Sequence, residues 1–395
     1  MISSQVRAGR WAVAACFFTN GMIMGSWVPQ VPLLAQRFDV GEAMLGLLIL
    51  TLGLGAVVIM PVCGWLISHT NSRAVLRGSA VISAFALLLV ALAPNLALVA
   101  LAIALFGASI GGMDVAMNSN AVVVERRMGL AIMSSSHGFW SLGGFTGAGL
   151  GGKIAEALGP IGHASVVTAA ALALLSFALP RLLVERQPQQ ASSDTSPKVR
   201  FPSNPGVYLI GLLALLCMAP EGAVLDWAAL YLRQEMGANL ATASLAFTFF
   251  SGAMAVMRFM GDGVRNRLGA VTTIRISGTV AAVGMLAAGA SSNPAIAIAA
   301  FAAAGLGIAN MVPIVFSAAG NQPGVPSSIG MSVATAIGYC GILVTPSLIG
   351  FVAERTGFSP VYMSFAVILL VVVLLAERLR PADFIATQPS PDVPR

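Results

Sequence analysis

The sequence predicts an all-α integral membrane protein with twelve transmembrane helices in two six-helix pseudo-repeats. Three observations carry this expectation. Of 395 residues, 57% are hydrophobic and only 9% charged, a balance that excludes an ordinary water-soluble enzyme. Apolar runs of about 20 residues or more, the length that crosses a hydrocarbon core, recur twelve times between breakers. Features also repeat at a near-constant offset: Trp27 and Trp227 are 200 residues apart, and Gly107 and Gly305 are 198 apart. The loop after the second run matches the loop after the eighth at that same offset of 198.

The first run, 11–35, follows Arg7 and Arg10 and contains Asn20, Pro29 and Pro32 but no small-residue cleavage site. It is therefore expected to remain as a spanning helix and not to leave as a signal peptide. The next five runs fall at 43–67, 74–93, 96–123, 131–157 and 163–183. A stretch rich in Gln, Ser, Pro and charge follows, from Glu185 to Pro205, and reads as a hydrated linker. Six further runs lie at 206–232, 240–261, 270–290, 295–318, 327–352 and 359–379. The expected organisation is an N-terminal bundle, 1–184, a linker, 185–205, and a C-terminal bundle, 206–395. Glycines four apart, Gly21 with Gly25, Gly107 with Gly111, and Gly143 with Gly147 and Gly151, suit helices that approach closely.

Charge sets the orientation. Sixteen of the 21 Lys and Arg fall on the side of both termini, while Arg37, Lys153, Arg233 and Arg355 fall on the other and Arg258 lies within the eighth run. Basic loops stay cytoplasmic, so both termini and the linker are expected there, with the chain in the inner membrane of the cell. The net charge of +6 comes without a basic stripe interleaved with aromatics, which argues against nucleic acid as a partner. Cys16, Cys63, Cys217 and Cys340 each stand alone in apolar runs, without zinc-site spacing, and are expected to be buried core residues. No nucleotide-binding loop, metal-ligand cluster or nucleophile elbow is present, so neither a cofactor, a metal nor an enzyme is expected.

Ionised groups in hydrocarbon cost at least about 2.5 kcal/mol, so those that occur should face the bundle interior for a reason. Asp114 lies mid-run in the fourth helix, with Asn118 one turn on along the same face, and suits a group that takes up and releases a proton. In the seventh helix Glu221 and Asp226 flank Gly222 just after Pro220, about 140° apart around the axis, too far to share one proton. One acid suits substrate contact and the other an outer gate, although Asp226 could equally pair with Arg233 or a neighbouring helix as interfacial structure. His137, on one face with Trp140 and Ser141, is a further candidate for proton coupling. Asn20, Trp27, Asn118, Trp140, Trp227, Asn310 and Tyr339 suit a hydroxylated or mildly polar solute by stacking and hydrogen bonding. Arg258 and Asp262, four apart, read as an ion pair in a gating latch.

Two loops strengthen the last point. The run from Gly64 through Leu66 to Arg73, and the run Asp262-Gly-Val-Arg265-Asn266-Arg267-Leu-Gly269, resemble the G-x-L-x-D-R-x-G-R signature of major facilitator superfamily transporters. The first copy lacks the Asp-Arg pair; in the second Asn266 and Arg267 stand in its place. The resemblance spans nearly the whole chain and implies the major facilitator fold, with Gly64, Arg73, Arg258, Asp262, Asn266 and Arg267 at the gating loops. The strings around Asp114, His137 and Glu221 resemble the fucose-permease-like branch, in which a fourth-helix carboxylate works with an Asp in the first helix. This chain offers only Asn20 there. The fifth helix has no proline among its glycines, unlike drug antiporters.

The function expected from these readings is secondary active transport of a small polar solute, a sugar or related metabolite, in symport with protons by a monomeric carrier in the lipid bilayer. A proton-coupled exporter or uniporter is the alternative within transporters, and a membrane receptor the alternative outside them.

Overall fold

The computed structural model describes residues 3–128, 132–184, 204–323, 325 and 327–383. The expected linker falls largely outside them. The first pass comprises α1 (Ser4–Trp27) and α2 (Gln30–Phe38), broken around Pro29, which has no amide proton to continue the helix. Passes two to four are α3 (Glu42–His69), α4 (Ser72–Leu92) and α5 (Leu96–Met128). Passes five and six run together as α6 (Met133–Ala178), interrupted at Gly159, whose φ of 70° lies in the region glycine enters freely, immediately before Pro160. The second half begins with α7 (Pro205–Met236), α8 (Leu240–Leu268) and α9 (Ala270–Ala290). Its tenth pass is split into α10 (Pro294–Ile308) and α11 (Met311–Gly320), a break around Asn310 just before Pro313, which has no amide proton to continue the helix. The chain ends with α12 (Ser327–Thr356) and α13 (Phe358–Leu374), the last bent by 58° into a 3-10 turn at Ala376–Ala382. Counting each broken helix as one pass and α6 as two, the layout is twelve passes, six in each half.

Helix starts follow from local chemistry. Asn71, Asn95, Asn204, Asn239 and Asn293 each accept a hydrogen bond from an amide in the first turn of α4, α5, α7, α8 and α10, at 2.8 to 3.0 Å. Asparagine is favoured there because its side chain satisfies an amide the helix leaves unpaired. Distant acids do the same for α9 and α13: Asp383 accepts from the Ala270 amide and Glu235 from the Phe358 amide.

Glycine lets the helices touch through their backbones. A Cβ added at Gly21 would stand 1.9 Å from the Trp140 carbonyl oxygen, and one at Gly143 would stand 2.1 Å from that of Phe18, so α1 and α6 interlock reciprocally. The two halves repeat this device. Gly107 on α5 packs against the Leu52 carbonyl of α3 at 1.8 Å, and Gly305 on α10 against the Phe250 carbonyl of α8 at 2.3 Å, by the same construction. Large apolar side chains cover the outside, Trp11, Trp65, Val283 and Leu374 among them, as a bilayer requires. Cys16, Cys63 and Cys217 are buried as expected, but Cys340 is exposed. It shares a face of α12 with Val344 and Leu348, one and two turns on, which are exposed as well.

Asn120 on α5 is fully buried and donates to Ser72 Oγ of α4 and to the Leu183 carbonyl, both at 2.9 Å, tying the end of the sixth pass to the first half's inner helices. Asn120→Ala is expected to destabilise the protein by about 1–3 kcal/mol, since it strips donors from buried acceptors. A thermal-unfolding midpoint equal to wild type would refute this.

Polar contacts divide the bundle into a near end, which holds Ser4 and Ala382, and a far end. At the far end they bridge the halves: Gln234 donates to Glu42 at 2.7 Å, the Ala241 amide to Glu156 at 2.8 Å, and Ser347 to the Gly46 carbonyl at 3.0 Å. At the near end the described contacts stay within each half. Arg73 and Arg77 donate to the Pro180 and Leu179 carbonyls, and Arg265 to Ser317 and the Ala382 carbonyl.

Candidate functional site

Between the halves, α1, α5 and α6 meet α7 and α8, and seven of the residues predicted from the sequence lie there: Asn20, Asp114, Asn118, His137, Trp140, Glu221 and Arg258. Asp114 and Asn118 share a face of α5 because they are one turn apart. Asn118 donates to the Asp114 carboxylate at 3.2 Å, and His137 of α6 donates through Nε2 to Asn118 Oδ1 at 3.2 Å. The His137 ring also meets Phe17 of α1 edge to face at 5.1 Å. One turn further into α6, Trp140 Nε1 donates to Asn20 Oδ1 at 2.8 Å, while the Asn20 amide donates to the Ile110 carbonyl at 3.3 Å. Three helices of the first half thus hold two hydrogen-bonded groups, Asn20 with Trp140, and Asn118 with His137 and the half-buried Asp114 carboxylate.

A second group crosses the seam. Arg258 of α8 donates to Ser141 Oγ of α6 at 2.5 Å and reaches Glu221 Oε2 of α7 at 3.5 Å. Ser141 is held in turn by Ser251 of α8, whose hydroxyl donates to the Ser141 carbonyl at 2.7 Å. The Arg258 and Glu221 side chains keep 14% and 20% of their exposure. The sequence reading paired Arg258 with Asp262; the partners described for it are Glu221 and Ser141. The side chains of Asp262, Asn266 and Tyr339 lie outside the described residues.

Asp226 stands apart from Glu221, as their angular separation required. It is buried, and its carboxylate accepts from Trp27 Nε1 of the opposite half at 3.2 Å, not from Arg233. Trp27 packs on Phe106, and Trp227 on Phe358 beside Tyr231 and Tyr362, so both indoles sit in buried aromatic packing. Asn310 is buried against Gly261 with no partner described for Nδ2. Of the gating candidates, Gly64 borders open space, Arg73 turns to Pro180, and Arg267 is exposed. Ser141 and Ser251 were not among the sequence candidates; the signal for Ser141 was its place one turn beyond His137.

Two bundles of six helices with a polar seam between them have the architecture of a membrane transporter. The profile of the Major Facilitator Superfamily matches residues 13–328 and 212–394, and the chain belongs to that superfamily. It is 34% identical over 377 residues to an uncharacterized MFS-type transporter of Yersinia pestis, covering 95% of this chain and 96% of that one. It is also 32% identical over 346 residues to the membrane protein MosC of Rhizobium meliloti, covering 88% and 84%. Among solved structures, the nucleoside transporter NupG superposes with a TM-score of 0.73 at 14% identity, over 94% of this chain and 98% of that one. A D-xylose-proton symporter superposes at 0.72 and 14%, over 94% and 97%. At these identities the structures share the fold with this chain.

Proposed function

We propose that this chain carries a small polar solute, a sugar or related metabolite, in symport with protons by alternating access. The observation that carries the reading is the Asp114, Asn118 and His137 chain, placed on the seam next to the Arg258 and Glu221 pair, in a bundle whose halves are bridged by hydrogen bonds at the far end. A carboxylate in that place can exchange a proton with whichever side the seam opens to, while amides and indole hold hydroxyl groups. The near end, which carries the excess of Lys and Arg, faces the cytoplasm in this proposal, so the state described is closed to the outside. The protein works as a monomer in the inner membrane, and a place near the fucose-permease-like branch fits the strings around Asp114 and His137. The D-xylose-proton symporter supports the reading by likeness of fold.

The test is internal pH in proteoliposomes on adding pools of sugars, sugar acids and amino acids, with wild type against Asp114→Asn. Solute-dependent proton entry is expected in wild type and a loss of at least about 100-fold in the variant, because Asn cannot carry the proton. Equal proton movement in both would assign Asp114 to structure, and no movement with any pool would leave uniport or export.

A further inference from the structure

We propose that Arg258 is the docking point for an anionic group on the substrate, and that Glu221 holds this place until the substrate arrives. The inference rests on the transport reading above and narrows the solute to a small hydroxylated carboxylate.

Arg258 lies ten residues before the end of α8 (Leu240–Leu268), inside the span, where a charge is costly unless used. Its short contact, 2.5 Å, is with an uncharged hydroxyl, Ser141. Its contact with a carboxylate, Glu221, is single and long at 3.5 Å. A guanidinium is a planar fork suited to two parallel hydrogen bonds with a carboxylate, and that fit is not used here. Both side chains keep part of their exposure inside the bundle, so a solute entering the seam can reach the fork. The neighbouring groups on α1, α5 and α6 are those that recognise hydroxyls: Asn20 with Trp140, and Asn118 with His137. A cationic solute finds less. Asp114 already accepts from Asn118, and Glu221 from Arg258. The arrangement is therefore an exchange of one carboxylate for another on a fixed cation.

D-glucuronate, D-glucose and D-glucosamine share a ring and differ in charge, and serve as probes. Binding is measured to the full-length protein in nanodiscs. Wild type is expected to bind D-glucuronate at millimolar or lower concentration and to bind the other two more weakly. Arg258→Gln should weaken D-glucuronate binding by at least ~30-fold, the lower end for removing one partner of a desolvated charge pair. Arg258→Lys should restore only part of it. Glu221→Gln removes the competitor and should tighten D-glucuronate several-fold, a gain that a structural role for Glu221 would not produce. It also serves as the test if Arg258→Gln does not fold. The proposal is overturned if wild type binds no D-glucuronate, if D-glucose or D-glucosamine binds as tightly, or if Glu221→Gln weakens the anion. Asp114-dependent proton entry driven by D-glucose alone would sink the anionic subsite and leave the transport reading standing. Arg258-dependent binding of D-glucuronate without proton movement would do the reverse.

Discussion

Gly143→Leu is expected to yield no folded protein. Gly143 faces the Phe18 carbonyl at 2.1 Å from where its Cβ would stand, and Gly147 faces that of Met22 at 2.2 Å. From the other side, Gly21 and Gly25 face the carbonyls of Trp140 and Gly144 at 1.9 and 2.3 Å. Because each helix lends its glycines to the other's backbone, no side-chain rotation relieves the clash; α1 and α6 must separate along their length. Overpacking a well-fitted site costs about 1–3 kcal/mol when neighbours can adjust, and here the obstructing atoms are backbone. Part of the site depends on the same contact, since Trp140 meets Asn20 across it. Size-exclusion profiles and thermal unfolding in detergent provide the measurement. The control is Gly78→Leu, at an exposed position with nothing within 4 Å of its added Cβ, which should behave as wild type. A monodisperse Gly143→Leu protein of unchanged stability would contradict the interlock.

The second large effect is expected from Trp27→Phe. The substitution keeps the aromatic packing on Phe106 and removes the indole N–H that Asp226 accepts from across the halves. Leaving a buried acceptor without its donor costs about 1–3 kcal/mol, more for a charged group, and the cost falls only on the state in which the far end is closed. The equilibrium should move toward far-end opening by about 10-fold or more. Cysteines placed at Glu42 and Gln234, which touch at 2.7 Å in this state, report the shift through cross-linking. Yield should drop in the Trp27→Phe background and recover little in high substrate. An unchanged yield would mean that the contact between Trp27 and Asp226 does not hold the halves together.

These residues also show where sequence reading succeeds and stops. Regularities within one helix were legible: the apolar runs, the i to i+4 glycines, the shared face of Asp114 and Asn118, and the 140° between Glu221 and Asp226. So was the duplication, since Gly107 and Gly305 do equivalent work in the two halves. Contacts between helices were not. Sequence spacing offers Arg258 only its local neighbour Asp262, whereas its described partners are 37 and 117 positions away in the chain. The bond between Trp27 and Asp226, 199 apart, was out of reach for the same reason. The break at Asn310 had its signal in Pro313, which the reading of apolar runs passed over, and Cys340 looked like core because apolar sequence does not distinguish an exposed side from an inward one. Fold class follows from pattern; the pairing of polar groups follows from which helix faces meet, and that is decided by packing.

The far-end closure joins acids to uncharged donors: Glu42 to an amide side chain, Glu156 to a backbone N–H, Asp226 to an indole. Parting them separates no opposite charges, so dissolved ions, which screen charges beyond about 8 Å at physiological strength, have little to act on. A carrier closed in this way keeps the same resting balance between its two faces in dilute and in saline surroundings.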